Sequence, residues 1–288
     1  DVYKRQGTFS ATTLEEVQAF FREKLKDEEG LMIKAMAGGG GRGMRAVFDY
    51  AEIETAYERC QSEALQAFGN GDLYVEKLIQ NARHIEVQII GDGTGEVSYL
   101  GERECSIQRR HQKLIEIAPC PNLSPILRQK LCYAAVKMAK SVQYANAGTF
   151  EFLVDKSLAD DTHFYFMEAN PRLQVEHTVT EEVTGIDIVQ FQLQQAMGKT
   201  LADLGLLQSQ IIAPKGCAIQ LRIKMESMDK DGNIRPSGGQ LTTFEMPVGK
   251  GIRVDTFGYK GYRTSPNFDS LLAKVIVSVR SDDFEDVV

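Results

Sequence analysis

The chain has 288 residues, 43% hydrophobic and 25% charged, which is the make-up of a globular protein of one or two domains. Its formal charge of −7 argues against a dominant nucleic-acid-binding face, though not against a local basic pocket for a small anion. Five cysteines (Cys60, Cys105, Cys120, Cys132, Cys217) include no C-x-x-C pair, and their odd count rules out a complete set of intrachain disulfides. Reduced thiols in a cytoplasmic compartment are therefore expected, with no membrane span and no leader.

Residues 1–6 (DVYKRQ) show no periodicity and are expected to be a frayed or foreign end. Thr13 with Glu16 is a capping box that opens a helix running to about Glu29, with Gly30 as its stop. A strand, Leu31 to Ala37, carries Lys34 and leads into the glycine run Gly38 to Gly41, Arg42, Gly43 and Met44. A second strand follows at Arg45 to Phe48. The pattern is neither a Walker loop nor a G-x-G-x-x-G turn. It fits a flexible turn, or a hairpin tip whose backbone N–H groups press on a phosphate.

Asp49 and Glu52 cap a helix to about Phe68, stopped by Gly69. Asp72 to Ile79 is a short strand holding Glu76, Lys77 and Leu78, which suit either a solvated face or the edge of a cleft. His84 to Ile90 and Glu96 to Leu100 form a hairpin around Gly91-Asp92-Gly93. The segment Glu102 to Glu116 is the most basic of the chain, with Arg103, Arg109, Arg110, His111 and Lys113 interleaved with Gln108 and Gln112. It reads as a solvated basic loop or as a cradle for a multiply charged oxyanion.

Ser124-Pro125 opens a helix to about Val142. Gly148 to Asp155 and His163 to Ala169 form a hairpin that can set Glu151 near Glu168. Facing carboxylates repel unless one is protonated, solvent separates them, or a cation sits between them. With the Asn170 oxygen they form an all-oxygen set suited to magnesium or manganese. The stretch Phe164 to His177 (FYFMEANPRLQVEH) alternates from Phe164 and Phe166 into Glu168, Asn170, Arg172, Gln174 and Glu176, with Pro171 making the later alternation approximate. Gly185 to Met197 is expected to be an amphipathic helix. Past a boundary near Pro214 the chain turns β-rich, with CAIQLRI, QLTTFEM, GIRVDTF and LLAKVIVSV as strands. Arg253 reads on its own as an exposed strand arginine. Ser281 to Val288 looks like the first turn of a helix. The fold class is α+β.

Taken together, KAMAGGGGRGMR, RHIEVQIIGDG, ERECSIQRRHQKLIE, AGTFEFLVD and EANPRLQVEHTVTEEVTG resemble, in order, the motifs of the biotin carboxylase component of biotin-dependent carboxylases, members of the ATP-grasp superfamily. The likeness runs from Gly7 onward and is closest to single-chain bacterial acyl-CoA carboxylases and pyruvate carboxylase. It implies two α+β lobes around a nucleotide cleft. The ATP-grasp domain is expected at residues 7–213, with the glycine-hairpin lid lobe at about 7–78. A truncated β-rich C-terminal domain is expected at 214–288, and the family's N-terminal domain is expected to be absent.

The resemblance also implies a chemistry. Bicarbonate attacks the γ-phosphate of ATP, and the carboxyphosphate formed carboxylates biotin on a carrier. Lys34 and Lys77 would neutralise phosphates, covered by Gly40 and Gly41. Met44, Glu76 and Leu78 would hold adenine, and His84, Gln108 and His111 would contact the nucleotide. Glu151, Glu168 and Asn170 match the Mg2+ or Mn2+ ligands. Glu176 matches the base that deprotonates bicarbonate, in a pocket of Arg172, Gln174, Val175 and Lys113. Arg253 matches the residue facing the ureido oxygen of biotin. Implied partners are a biotin carboxyl carrier domain, a carboxyltransferase domain and further copies of the chain, with no nucleic acid or membrane. Another ATP-grasp ligase of the carbamoyl-phosphate synthetase kind, or a nucleotide-binding module without turnover, is the alternative. The isolated chain is expected to be inactive.

Overall fold

Strand β1 (Leu31–Ala35) is buried along its whole length, including its one charged residue, Lys34. In the computed structural model, which describes residues 12–25, 29–38, 43–109, 112–155, 163–230 and 233–288, β1 is the middle of a three-stranded antiparallel sheet. Its neighbours are β2 (Met44–Val47) and β3 (Leu73–Lys77). Leu31, Ile33, Ala35, Val47, Leu73 and Val75 form one core with Val17 of α1 (Leu14–Lys24) and Ile53, Cys60 and Ala64 of α2 (Ile53–Phe68). This sheet belongs to the first of two compact units, Asp1–Ala82 with Leu153–Phe166. The second is Arg83–Phe152 with Met167–Val288.

The caps of the first unit follow local chemistry. Thr13 N–H donates to Glu16 Oε2 at 2.8 Å and Glu16 N–H to Thr13 Oγ1 at 3.3 Å, the expected capping box. The helix is shorter than expected, because Leu25 turns extended and packs against the unit's core instead of continuing the helix. Asp49 caps a 3-10 turn, Tyr50–Glu52, that precedes α2, and Glu52 makes no side-chain cap of its own. Gly69 ends α2 in the left-handed conformation, as its position suggests.

The second unit holds most of an eight-stranded sheet. Its strands in chain order are β4 (Ala82–Asp92), β5 (Val97–Arg109), β6 (Gln112–Ala118), β7 (Ala145–Asp155), β8 (Phe164–Asn170), β9 (Cys217–Lys224), β13 (Ile252–Thr256) and β15 (Leu271–Val279). Small pairs of β10 (Glu226–Met228) with β11 (Ile234–Pro236), and of β12 (Gly239–Gln240) with β14 (Arg263–Thr264), lie outside it. The order across the sheet is β13-β15-β9-β6-β5-β4-β7-β8. The strands beyond Pro214 therefore continue the sheet that carries β4 to β8.

Three expectations need correction. The basic segment is not a loop: its described residues lie in β5 and β6, which pair antiparallel. QLTTFEM forms a strand only at Gln240. The run Phe164 to His177 stops being extended at Asn170. There Pro171 supplies no donor, Arg172 N–H turns back to Asn170 O at 2.8 Å, and α4 (His177–Thr184) begins.

Helix α4 lies over the face of the sheet that carries Ala118, Ala218 and Ile276, through Val179 and Val183. Two further helices, α3 (Pro125–Ser141) and α5 (Ile188–Ala196), complete the unit, each opened by the side chain of its N-cap, Ser124 or Asp187. All five cysteines are free and buried. No helix among the described residues is long and apolar enough to cross a membrane.

Gly216 fixes where β9 enters the sheet. Its φ is +75°, and a Cβ added there would lie 1.9 Å from the carbonyl oxygen of Val279 in β15. Gly216→Ala therefore combines backbone strain with a backbone clash, and should cost about 2–4 kcal/mol. Thermal unfolding should shift down by roughly 4 °C or more; an unchanged melt would contradict this account of the strand entry.

Candidate active site

Three buried carboxylates converge on one ammonium group. Lys113 Nζ donates to Glu86 Oε2 at 2.6 Å, to Glu176 Oε1 at 2.7 Å and to Glu151 Oε1 at 3.1 Å. An ammonium has three donors, so each is used. The side chains of Glu86, Glu176 and Glu151 are 0%, 1% and 3% exposed, so water scarcely reaches them and Lys113 is their shared counter-charge. Burial opposes the charge on Lys113, but Glu86 and its neighbours outweigh it and raise the ammonium's pKa.

Strand pairing and one irregularity place these groups. Glu86 of β4 stands directly opposite Arg103 of β5, and Arg103 Nε donates to Glu86 Oε1 at 2.6 Å. Arg103 Nη1 also reaches Gln88 Oε1 at 2.9 Å and Thr180 Oγ1 at 2.8 Å. Burial works against the charge of Glu86, yet Arg103 and Lys113 hold its carboxyl below the usual range. Between the pairs Ile107–Ile115 and Gln108–Lys113, β6 advances two residues for one in β5. This bulge turns Lys113 onto the face of β6 that carries Glu116.

Glu151 of β7 is the second meeting point. His84 Nε2 lies 2.6 Å from Glu151 Oε2, and Gln108 Nε2 lies 2.7 Å from His84 Nδ1. Gln108 thus donates to one ring nitrogen and leaves the other to donate to the carboxylate. Burial would raise the Glu151 carboxyl, but His84 and Lys113 prevail and hold it at about 2. Asn170 Nδ2 lies 2.9 Å from Glu151 Oε1 and 3.1 Å from Glu168 Oε1. The Asn170 amide thus bridges two carboxylates on the neighbouring strands β7 and β8. A half-turn of that amide presents its oxygen between them. The three side chains then offer the hard, all-oxygen set that magnesium or manganese takes.

The turn 171–176 supplies the rest. Arg172 Nη1 donates to Gln174 Oε1 at 2.6 Å, and Gln174 Nε2 reaches Thr149 Oγ1 at 3.2 Å and Glu151 Oε1 at 3.3 Å. Lys274 of β15 donates to the carbonyl of Val175 at 3.1 Å. Glu176 occupies the N-cap of α4 without capping it, because its carboxylate is engaged by Lys113 and by Arg222 Nη2, the latter at 2.9 Å. Arg253 of β13 is clamped by Asp255, with Nε to Oδ1 at 2.9 Å, and by Glu181, with Nη1 to Oε2 at 2.8 Å.

In the first unit, Lys34 sits across from Met44 of β2 and forms an ion pair with Glu76 of β3, so these three share one sheet face. Lys77 pairs in register with Leu31, which sets it on the opposite face, where it binds Glu29 at 2.6 Å. Leu78 N–H donates to Gly30 O at 2.9 Å. Gly40, Gly41 and His111 lie outside the described residues. Sequence reasoning missed Glu86, Glu116, Glu181 and Arg222, and read Arg103 only as one of the cations of the basic segment. The signal available was a polar residue at every second place of an apolar strand, as in Gln220 and Arg222 of AIQLRI.

The family described as carbamoyl-phosphate synthase L chain, ATP binding domain, matches residues 10–204. The family described as biotin carboxylase C-terminal domain matches residues 220–288. The chain belongs to the biotin carboxylases. The family's ATP-grasp fold accounts for the mixed α+β architecture. The mitochondrial pyruvate carboxylase of Rattus norvegicus is 53% identical over 247 residues, 85% of this chain and 20% of that protein. Pyruvate carboxylase of Bacillus subtilis is 48% identical over 268 residues, 92% of this chain and 22% of that protein. The chain thus spans about a fifth of these relatives' length.

Among solved structures, a biotin carboxylase–β,γ-ATP complex from Campylobacter jejuni matches with a TM-score of 0.86 at 43% identity, over 95% of this chain and 58% of that one. The biotin carboxylase domain dimer of Hydrogenobacter thermophilus 2-oxoglutarate carboxylase, in complex with MgADP, ADP and bicarbonate, gives 0.86 at 42% identity, over 96% and 58%.

Glu181 gives this region a measurable acid dependence. Burial would raise its carboxyl, but the His177 imidazole, 3.0 Å away, and Arg253 outweigh it and hold the group at about 2. In an unfolded chain a glutamate titrates near about 4.3. The lowered folded value means that Glu181 adds stability above that pH and loses it as pH falls toward 2. The stability difference between wild type and Glu181→Gln, from denaturant melts, should be full at pH 5–7 and shrink over the window from about 4.3 to 2. A difference that stays constant there would contradict the assignment.

Proposed function

We propose that the chain performs the ATP- and bicarbonate-dependent carboxylation of biotin on a carrier domain. The observation that carries this reading is the Glu176 carboxylate, buried beside Lys113 and adjoining the Gln174–Arg172 pair. Arg172, Gln174, the Val175 backbone and Lys113 bind and orient bicarbonate, and Glu176 takes its proton. The deprotonated oxygen then attacks the γ-phosphorus of ATP, forming carboxyphosphate and releasing ADP. Catalysis here consists mostly of positioning and charge stabilisation. Lys34, Met44, Glu76, Lys77 and Leu78 of the first unit, with Gly40 and Gly41, serve the nucleotide, as do His84, Gln108 and His111.

Glu151, Glu168 and Asn170 would hold a divalent ion, which when bound offsets charge on the phosphates. Arg253 meets the ureido oxygen of biotin, where negative charge develops. Its present clamp by Asp255 and Glu181 holds the guanidinium fork in a fixed orientation. We take residues 7–213 as the ATP-grasp domain, with 7–78 as the lid lobe, and 214–288 as C-terminal domain.

The relatives share this region while their names specify pyruvate, 2-oxoglutarate or long-chain acyl-CoA as what they carboxylate. The acceptor is therefore assigned to a carboxyltransferase domain elsewhere, with which, along with a carrier domain and further copies of the chain, this region would work. Five buried free thiols fit a reducing compartment such as the cytoplasm, and the mammalian relatives are named as mitochondrial.

Glu176→Gln should reduce bicarbonate-dependent ADP release about 100-fold or more, the scale of a general base, in the full-length protein that carries these residues. Near-normal turnover at saturating bicarbonate would move the base elsewhere.

A further inference from the structure

We infer that Arg222 of β9, backed by Glu116, Gln220 and Thr178, is the positioning residue that fixes the Glu176 carboxylate for proton transfer. This rests on the proposed role of Glu176. Arg222 Nη2 lies 2.9 Å from Glu176 Oε2 and 2.5 Å from Glu116 Oε1, and its Nε donates to Glu116 Oε1 at 2.6 Å. Glu116 Oε2 accepts from Gln220 Nε2 at 2.8 Å. Gln220 Oε1 in turn accepts from the Thr178 hydroxyl. Thr178 and Glu176 stand two residues apart at the start of α4. The chain of contacts therefore leaves α4 at Glu176, crosses two strands and returns to α4 at Thr178.

Such a ring fixes both the backbone and the side chain of Glu176. Glu116 and Gln220 are directly opposed in the sheet, and Arg222 is two places beyond Gln220 on the same face. The side chains of Arg222 and Glu116 are 14% and 0% exposed, so water does little to screen or replace their pairing.

The two oxygens of Glu176 differ in consequence. Oε2 faces a guanidinium that is itself fixed by a second carboxylate. Oε1 faces the Lys113 ammonium, which has Glu86 and Glu151 as further partners and can release one contact without becoming unpaired. Oε1 is thus the oxygen that receives the proton from the bicarbonate O–H, while Arg222 keeps the carboxylate plane from turning. Arg222 belongs to the stretch that matches the C-terminal domain family. The base of the ATP-grasp part is therefore set from the C-terminal part.

The test measures bicarbonate-dependent ADP release in the full-length protein for wild type, Glu176→Gln, Arg222→Ala, Arg222→Lys and Glu116→Gln. Arg222→Ala should lower kcat roughly 10- to 100-fold, the scale of a misplaced catalytic group, with KM for ATP within about twofold of wild type. Millimolar guanidinium should restore part of that kcat. Arg222→Lys should stay low, because a lysine ammonium is a compact point charge on a shorter, flexible stem and lacks the planar fork that Arg222 presents to Glu176 and Glu116 in fixed orientation. Glu116→Gln, which frees Arg222 to turn, should lower kcat less.

An Arg222→Ala enzyme with kcat within twofold of wild type, while Glu176→Gln is inactive, overturns the inference and leaves the proposed function standing. So does a loss that raises KM for ATP equally and is not rescued by guanidinium. Wild type without bicarbonate-dependent ADP release overturns the proposed function instead. If Arg222→Ala does not fold, Arg222→Lys and Glu116→Gln decide: lowered kcat at unchanged KM for ATP upholds the inference, and normal kcat in both overturns it.

Discussion

Lys113 is the charge on which the centre of the second unit depends. Its ammonium is the shared partner of Glu86, Glu151 and Glu176, three carboxylates that water scarcely reaches. Arg103 on one side shares Glu86 with Lys113, and Arg222 on the other brings in a further carboxylate, Glu116. Buried ion pairs seldom add net stability over well-packed apolar groups of the same size, since desolvation offsets much of the attraction. Their concentration in one place, at strand positions that would otherwise hold apolar side chains, points to chemistry rather than to folding energy. The local fold follows from keeping that charge set closed. The bulge in β6 aims Lys113, the β4–β5 register aligns Glu86 with Arg103, and α4 brings Glu176 down from above.

The same interaction explains how binding and folding are joined here. Lys113 has no spare donor, so any anion it binds must replace a carboxylate contact. Glu151 has alternative support from His84, Gln174 and Asn170. Glu86 has Arg103, and Glu176 has Arg222. Each carboxylate can therefore give up its contact with Lys113 for an incoming anion while the ammonium's charge stays close by. A site arranged in this way tolerates exchange of partners during a reaction, whereas a single isolated pair would not.

Much of the fold was legible because its signals are local. The Thr13–Glu16 capping box, the Ser124-Pro125 helix start and the Gly69 stop depend on residues within one turn of each other, and each behaves as its chemistry requires. The neighbouring strands that bring Glu151 and Glu168 to one Asn170 amide were visible for a similar reason. What escaped was set by tertiary contact. Gln220 and Arg222 alternate with Ile219, Leu221 and Ile223, a pattern that normally marks a solvated face. Only α4, lying over that face, turns it into a buried one. Arg103 looked like one of several loop cations, yet it is fully buried because Glu86 arrives from the adjacent strand. The turn after Pro171 likewise ends the alternation of Phe164 to Asn170, and its hydrogen bond from Arg172 N–H to Asn170 O is not written in the residue pattern.

The account turns on one ammonium keeping buried carboxylates ionised, and infrared difference spectroscopy of Lys113→Met against wild type tests that directly. At neutral pH the wild-type protein should show no carbonyl stretch from a protonated Glu86 or Glu151. Without the ammonium, Glu86 and Glu151 lose a charge that helps hold their carboxyls low in a medium that solvates them poorly, so at least one of them should take up a proton. A protonated-carboxyl band that appears in Lys113→Met and shifts on glutamate isotope labelling is the predicted result. A folded Lys113→Met protein with no such band would contradict the account.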